Sequence, residues 1–270
     1  MSIGILSVNN TEQFSKLQNQ INESAIRLTT GKKINSAKDD AAGLAIVSRL
    51  EAISREFNVG VRNASDTISV LDTADSAVSG IQDGLQRLRE LSVQSANGIL
   101  SDRDRSAIAS EANQIKAEIN RVLETTSFNG RNILSEDQSF DVQLGGGESN
   151  KIAFSTQSVT AQLSGAGLND IDLSTQAGAN DAISRIDSLL DVTSNSRSSY
   201  GAVSNRLSSA VDNLSDRLVS VSSSQSRIED TDYAAESVKL NRSLLLENAA
   251  IAVQAQANAS AESVLSLLNT

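Results

Sequence analysis

Apolar residues recur every three or four positions along most of this chain. Between residues 9 and 30, Phe14, Leu17, Ile21, Ala25 and Leu28 form one stripe, which predicts an amphipathic helix. Gly31 follows as a natural residue to end it in a left-handed turn. Ser36-Ala-Lys-Asp39 has capping-box spacing and predicts the start of a second helix. From Ile46 through Leu50, Ile53, Phe57 and onward to Leu85 and Leu88, the seam of that helix has a mean spacing of about 3.5 residues, the period of a coiled coil. Asn97-Gly98 closes it. Ser101-Asp-Arg-Asp104 then opens a shorter helix, with Ile108, Ala112, Ile115, Ile119 and Val122 on one face.

The pattern changes after Thr126. Asn129-Gly130 is a turn signal. Phe140, Val142 and Leu144 alternate with polar residues, as do Ile152 and Phe154, with the Gly145-Gly146-Gly147 run between them, so a β-hairpin is predicted. Residues 157–179, rich in Ser, Gly, Gln and Ala, are expected to be irregular. Helix returns near Asn180, and Leu207, Val211, Leu214, Leu218, Val221 and Ile228 hold a second seam interrupted by polar Gln225. A break at Glu229-Asp230 precedes a last helix from Tyr233 to Leu268. Helices, a small β excursion and helices again predict a mainly α fold. The expected architecture is a long antiparallel helical bundle or coiled coil with its two chain ends paired.

Composition sharpens this picture. The chain has no proline over 270 residues, where about 5% is usual, so its helices can run long and unkinked. Aromatic residues make up only 3% and Trp is absent, so the core is aliphatic and thin. There is no Cys and no His, which removes thiol chemistry, disulfides, imidazole catalysis and the usual zinc and haem ligands. A formal charge of −10 opposes non-specific binding to nucleic acid or anionic membrane. No apolar run approaches the roughly 20 residues of a membrane span. The first residues, MSIGILSVNNTEQFSK, lack the basic and apolar regions of a cleavable signal peptide, so any export is expected to use another route.

Motifs for chemistry fail on inspection. Asp102, Asp104 and Ser106 imitate a calcium loop, but Ala107 and Asn113 stand where Gly and Glu belong. Gly31-Lys32 has no upstream Gly at P-loop spacing, and the triple Gly opens no helix. Asp39-Asp40 suits capping better than acid–base work. No enzyme and no cofactor is expected. An interaction argument remains. Residues 1–15 carry one charged side chain, Glu12, and residues 243–270 carry two, Glu247 and Glu262, although both segments contain apolar groups. Isolated Ala-rich helices gain little in water. Such ends suit segments that order when other subunits cover them, although pairing within one monomer is the plainer alternative.

Five stretches then carry a resemblance: LTTGKKINSAKDDAAGLAI (28–46), LQRLRELSVQSANG (85–98), FNGRNIL (128–134), SRIEDTDYAAE (226–236) and AQANASAESVLSLL (255–268). In this order they resemble bacterial flagellin, in a short form without large outer domains. The resemblance implies a structural subunit of the extracellular flagellar filament that serves swimming motility. It also implies export through the flagellar type III apparatus, with residues 26–47 as export region. Residues 1–45 and 230–270 are expected to form an inner filament-core domain, disordered in the monomer and helical on assembly. Residues 46–229 are expected to form a helical rod with a β-hairpin region at about 128–178. Expected partners are further copies of the chain, an export chaperone, and the filament cap and hook-junction proteins, with no nucleic acid or membrane.

Polymerisation contacts are expected at Ile3, Leu6, Val8, Phe14, Leu17, Ile251, Ala255, Ala259, Val264, Leu265, Leu267 and Leu268. In flagellins recognised by Toll-like receptor 5 of hosts, a segment like 85–94 and an acid on the next helix form the contact. By that resemblance Leu85, Gln86, Arg87, Leu91, Gln94 and Glu111 are the corresponding residues here. The alternatives are a hook–filament junction protein of the same architecture and, from another class, a secreted coiled-coil effector or adhesin.

Overall fold

The computed structural model describes residues 2–147 and 150–268, and side-chain surroundings for 12–147, 150–260, 262 and 263. Helix α1 spans Ser2–Thr30, α2 Ala41–Ser95 and α3 Asp102–Thr125. Strands β1 (Ser127–Phe128) and β2 (Arg131–Asn132) form a small hairpin, and β3 (Gln138–Gln143) and β4 (Lys151–Thr156) form a longer one. Helices α4 (Val159–Gly165), α5 (Gln176–Glu229) and α6 (Tyr233–Leu268) complete the chain. The chain divides into two units, one of residues 1–54 with 219–270 and one of residues 55–218.

In the first unit α1 runs antiparallel to α6, so the chain ends pair as the pattern predicts. Gly31 ends α1 at φ 72°, and its N–H donates to the Arg27 carbonyl at 2.9 Å. The connector after it meets the connector before α6 in a single antiparallel bridge between Lys32 and Asp230. Lys33 N–H donates to the Glu229 carbonyl at 2.6 Å, and Thr231 N–H to the Gly31 carbonyl at 2.9 Å. The Ser36-to-Asp39 pattern does not cap α2. Asp39 instead folds the turn back on itself, accepting from the backbone N–H of Asn35 and Ser36 at 3.0 and 2.9 Å. Asp40 is the cap, taking the Gly43 N–H at 2.9 Å. The buried seam of α2 also starts one residue later than expected, since Val47 is buried and Ile46 half exposed.

The second unit is built on the portions of α2 and α5 that lie within it, together with α3. Their aliphatic seams meet in one buried cluster, with Leu71, Val78 and Leu85 from α2, Ile119 from α3, and Ile186 and Leu207 from α5. Ser101 caps α3 with both halves of the capping box formed, as predicted. Asn129 and Gly130 both take positive φ, 50° and 77°, which is the geometry of a tight hairpin turn. In the longer hairpin Phe140 pairs with Phe154, the rings stack with centroids 5.1 Å apart, and Arg131 lies over Phe140 at 5.6 Å.

The segment 157–179 is less irregular than its composition suggests. Ser158 caps α4 by accepting the Ala161 N–H at 3.0 Å, and Val159 and Leu163 bury themselves in the core. A helix of 7 residues is too short to show a period in sequence, which is why composition alone missed it.

The hairpin lies close against α2. Asn63 Nδ2 donates to the Gln143 carbonyl at 2.8 Å, and a Cβ at Gly60 would collide with the Leu144 carbonyl. Gly80, elsewhere in α2, has open space above it. Gly60→Ala is therefore expected to destabilise the monomer by about 1–3 kcal/mol through overpacking. Gly80→Ala should stabilise it by about 1 kcal/mol through helix propensity. Urea unfolding of both variants checks this pair, and equal shifts of the same sign would refute it.

Candidate assembly and recognition surfaces

Among the described residues the paired terminal helices are joined by specific polar groups, while Leu17, Ile21, Ala25 and Leu28 of the α1 stripe are only half-buried. Ser24 Oγ donates to Glu236 Oε1 at 2.7 Å, and Lys239 Nζ and Arg27 Nη1 lie 3.1 and 3.7 Å from the same carboxylate. Tyr233 donates its hydroxyl to the Leu28 carbonyl, and Gln18 donates to Glu247. Lys32 pairs with the buried Glu229, whose other oxygen accepts from Gln225 Nε2 at 2.9 Å. Gln225, the polar interruption in the predicted seam, thus satisfies a buried carboxylate. Burial opposes the Glu236 charge, but the Ser24 hydrogen bond, Lys239 and Arg27 together hold its carboxyl below the usual range. The hydrogen bond with Glu229 holds the Lys32 ammonium above its ordinary value, against the effect of burial.

This stitching leaves much of α6 uncovered. Val238 and Leu245 are 67% and 70% exposed, and Leu246, Ile251 and Val253 are exposed beside them. Of the residues expected in polymer contacts, Phe14, Ile251, Ala255 and Ala259 are exposed and Leu17 is half-buried. Ile3, Leu6 and Val8 on α1, and Val264, Leu265, Leu267 and Leu268 on α6, have side chains outside the described residues. Sequence reasoning missed Val238, Leu245, Leu246 and Val253. Their signal was available, because four large apolar groups on a helix of low charge need a cover.

A second surface lies where α2 faces α3. Arg87 Nη2 and Nε reach Glu111 Oε1 at 2.7 and 3.2 Å, and Nη1 reaches Glu90 Oε2 at 2.9 Å. These hydrogen bonds, Glu111 first and Glu90 second, hold the guanidinium still more firmly protonated. Gln86 and Gln94 are exposed on the same helix. Leu85 and Leu91 point the other way and are fully buried in the core, as is Leu88. The structure therefore brings Arg87 and Glu111 together, and it places the two leucines of the candidate contact behind them as packing. Beside Arg87 and Glu111 runs a groove of about 470 Å³, lined also by Ile81, Ile115, Ile119 and Val122. Among the described residues there is no cluster of side chains able to hold a metal ion, and no helix is long and apolar enough to cross a membrane.

Comparison with known proteins gives these surfaces their context. Residues 2–139 match the bacterial flagellin N-terminal helical region, and residues 183–268 match the bacterial flagellin C-terminal helical region. The chain belongs to the bacterial flagellins. A flagellin of Halalkalibacterium halodurans is 35% identical over 93% of this chain and 92% of its own. The crystal structure of Bacillus cereus flagellin, 27% identical, superposes with a TM-score of 0.51 over 57% of this chain and 88% of its own. A protein of Vibrio parahaemolyticus assigned to the flagellar hook-associated group superposes with a TM-score of 0.59 at 15% identity, over 71% of this chain and 100% of its own. That likeness is one of fold. Sequence separates the two classes, and it favours the filament over the hook–filament junction. This flagellin is a structural subunit of the extracellular flagellar filament.

Glu236 gives the terminal pair a pH dependence. A carboxyl with a depressed folded value contributes stability above its unfolded value, near about 4.3, and that stability is lost as pH falls through the folded value. Amide protection in the α1 segment 24–30 is expected to drop as pH falls below about 4, and Glu236→Gln should weaken it at neutral pH and flatten the dependence. Hydrogen exchange across a pH series checks this. An identical acid profile in the variant would show that another group is responsible.

Proposed function

We propose that the subunit acts by assembly alone, without catalysis, and that the exposed apolar side chains distributed around α6 are the surface the polymer covers. One observation carries this reading. The terminal pair is held by a few polar bonds, while Val238, Leu245, Ile251 and Val253 stay in water. Burial against identical neighbours supplies the stability that this pair lacks alone. A contact between different faces of successive copies does not close on itself, so it grows a helical filament. In this proposal residues 1–45 and 230–270 form the inner core of the filament and order fully there, and 46–229 form the rod outside it.

Weak terminal pairing also suits export. The chain passes unfolded through the flagellar type III channel with an export chaperone on its way, and residues 26–47 serve as export information. It then adds between the hook-junction proteins and the cap. On the host side, Arg87 and Glu111, with Gln86 and Gln94, form a contact for Toll-like receptor 5. Leu85 and Leu91 hold that face in position from beneath. Arg supports this role because its planar fork can bond several acceptors at once.

Lysine at both Ala255 and Ala259 should abolish seeded filament growth seen by electron microscopy, while urea unfolding of the 55–218 unit is unchanged. Filaments of normal length from that double variant would refute the assembly face. For the receptor, Arg87→Asp is expected to lower signalling by purified monomer at least tenfold in a reporter-cell assay, the loss of about 1.4 kcal/mol of binding. Undiminished signalling removes Arg87 from the contact.

A further inference from the structure

The chain contains two Asn-Gly pairs, and the fold treats them differently. In such a pair the glycine nitrogen can attack the side-chain carbonyl carbon of the asparagine, because no Cβ shields it. The reaction is intramolecular, so its rate depends on how the backbone presents the two groups to each other.

Asn97-Gly98 lies in the connector between α2 and α3, and Asn97, Gly98 and Ile99 are all exposed. The side-chain oxygen of Asn97 accepts the Ile99 N–H at 3.2 Å. That bond folds the side chain back over the Gly98 peptide and polarises its carbonyl. It also places a donor on the oxygen that becomes an oxyanion when the ring closes. Neither the Gly98 N–H nor the departing Asn97 Nδ2 is hydrogen-bonded among the described residues. Asn129-Gly130 is equally exposed but takes positive φ at both residues, in the tight turn between β1 and β2. Left-handed backbone turns the following nitrogen away from the Cβ of its own residue. Ring closure there requires the hairpin to open.

We propose that Asn97 is a site of spontaneous covalent modification, converting through a cyclic imide to aspartate and isoaspartate. The Gly98 nitrogen loses its proton to water and its electron pair forms a bond to Asn97 Cγ. The Cγ–Nδ2 bond breaks, and ammonia leaves with that proton replaced from solvent. Water then opens the imide. Attack at Cγ gives aspartate, and attack at the backbone carbonyl carbon gives isoaspartate, with no change of oxidation state. Either product puts an anion just beyond the C-terminus of α2, where the helix dipole disfavours it. Isoaspartate also adds a methylene to the backbone of the connector that Arg105 ties down through the Ser95 and Leu100 carbonyls.

The full chain held at mildly alkaline pH tests this, with peptide mass spectrometry for deamidation and enzymatic carboxyl methylation for isoaspartate. Asn97 is expected to react at least about tenfold faster than Asn129, and the two rates should converge in concentrated urea. A Cβ at Gly98 would meet only Gln176 Nε2, at 3.5 Å, so Gly98→Ala is expected to fold. It should slow the reaction at Asn97 by about tenfold and leave Asn129 unchanged. Equal rates at Asn97 and Asn129 in the folded wild-type chain overturn the proposal. A ratio that persists in urea also overturns it, because flanking sequence and not the fold would then set the difference.

Discussion

A long straight helix can bury only one stripe of side chains, and the rest of this protein follows from that limit. With no proline and few rings, the second unit builds its core from single aliphatic rows on α2, α3 and α5. Each row needs the other two to be covered. Where all three are present, leucines such as Leu85, Leu88 and Leu207 leave water completely. Where only α1 and α6 meet, two rows cannot close a core, and apolar groups remain outside it.

The first unit answers that shortage with specific polar bonds. Ser24, Arg27 and Lys239 converge on Glu236, Lys32 and Gln225 converge on Glu229, and backbone groups of 31–33 and 229–231 bond across the connectors. Bonds of this kind set register more than they add stability, because each replaces a bond to water. The result is a pair of helices aligned correctly but held modestly. That balance suits the proposed role of a filament subunit whose terminal helices gain cover from neighbouring copies.

Much of this was legible in the chain itself. Helices, their seams, the Ser101 capping box, the Asn129-Gly130 turn and the Phe140/Phe154 hairpin all follow from local spacing and turn chemistry, which act over a few residues. Asp40 was harder to read than Asp39, since both can accept backbone N–H groups and only the path of residues 35–43 decides which one caps the helix. Helix α4 was not legible, because seven residues show no period and its stability comes from Val159 and Leu163 meeting a core assembled from distant segments.

The candidate surfaces divide in the same way. Sequence alone determined that the chain is a helical subunit with charge-poor ends and no catalytic groups of the thiol or imidazole kind, because composition and periodicity are properties of the chain and not of its path. Spacing already put Leu85 in the seam of α2, but only tertiary structure decided what meets each face. It buried Leu91 beside Leu85, left Arg87 beside Glu111, and enclosed the Tyr200 hydroxyl without a hydrogen-bonding partner among the described residues. The physical reason is that burial and ion pairing depend on what the opposing helix presents, from residues tens or hundreds of positions away in the chain.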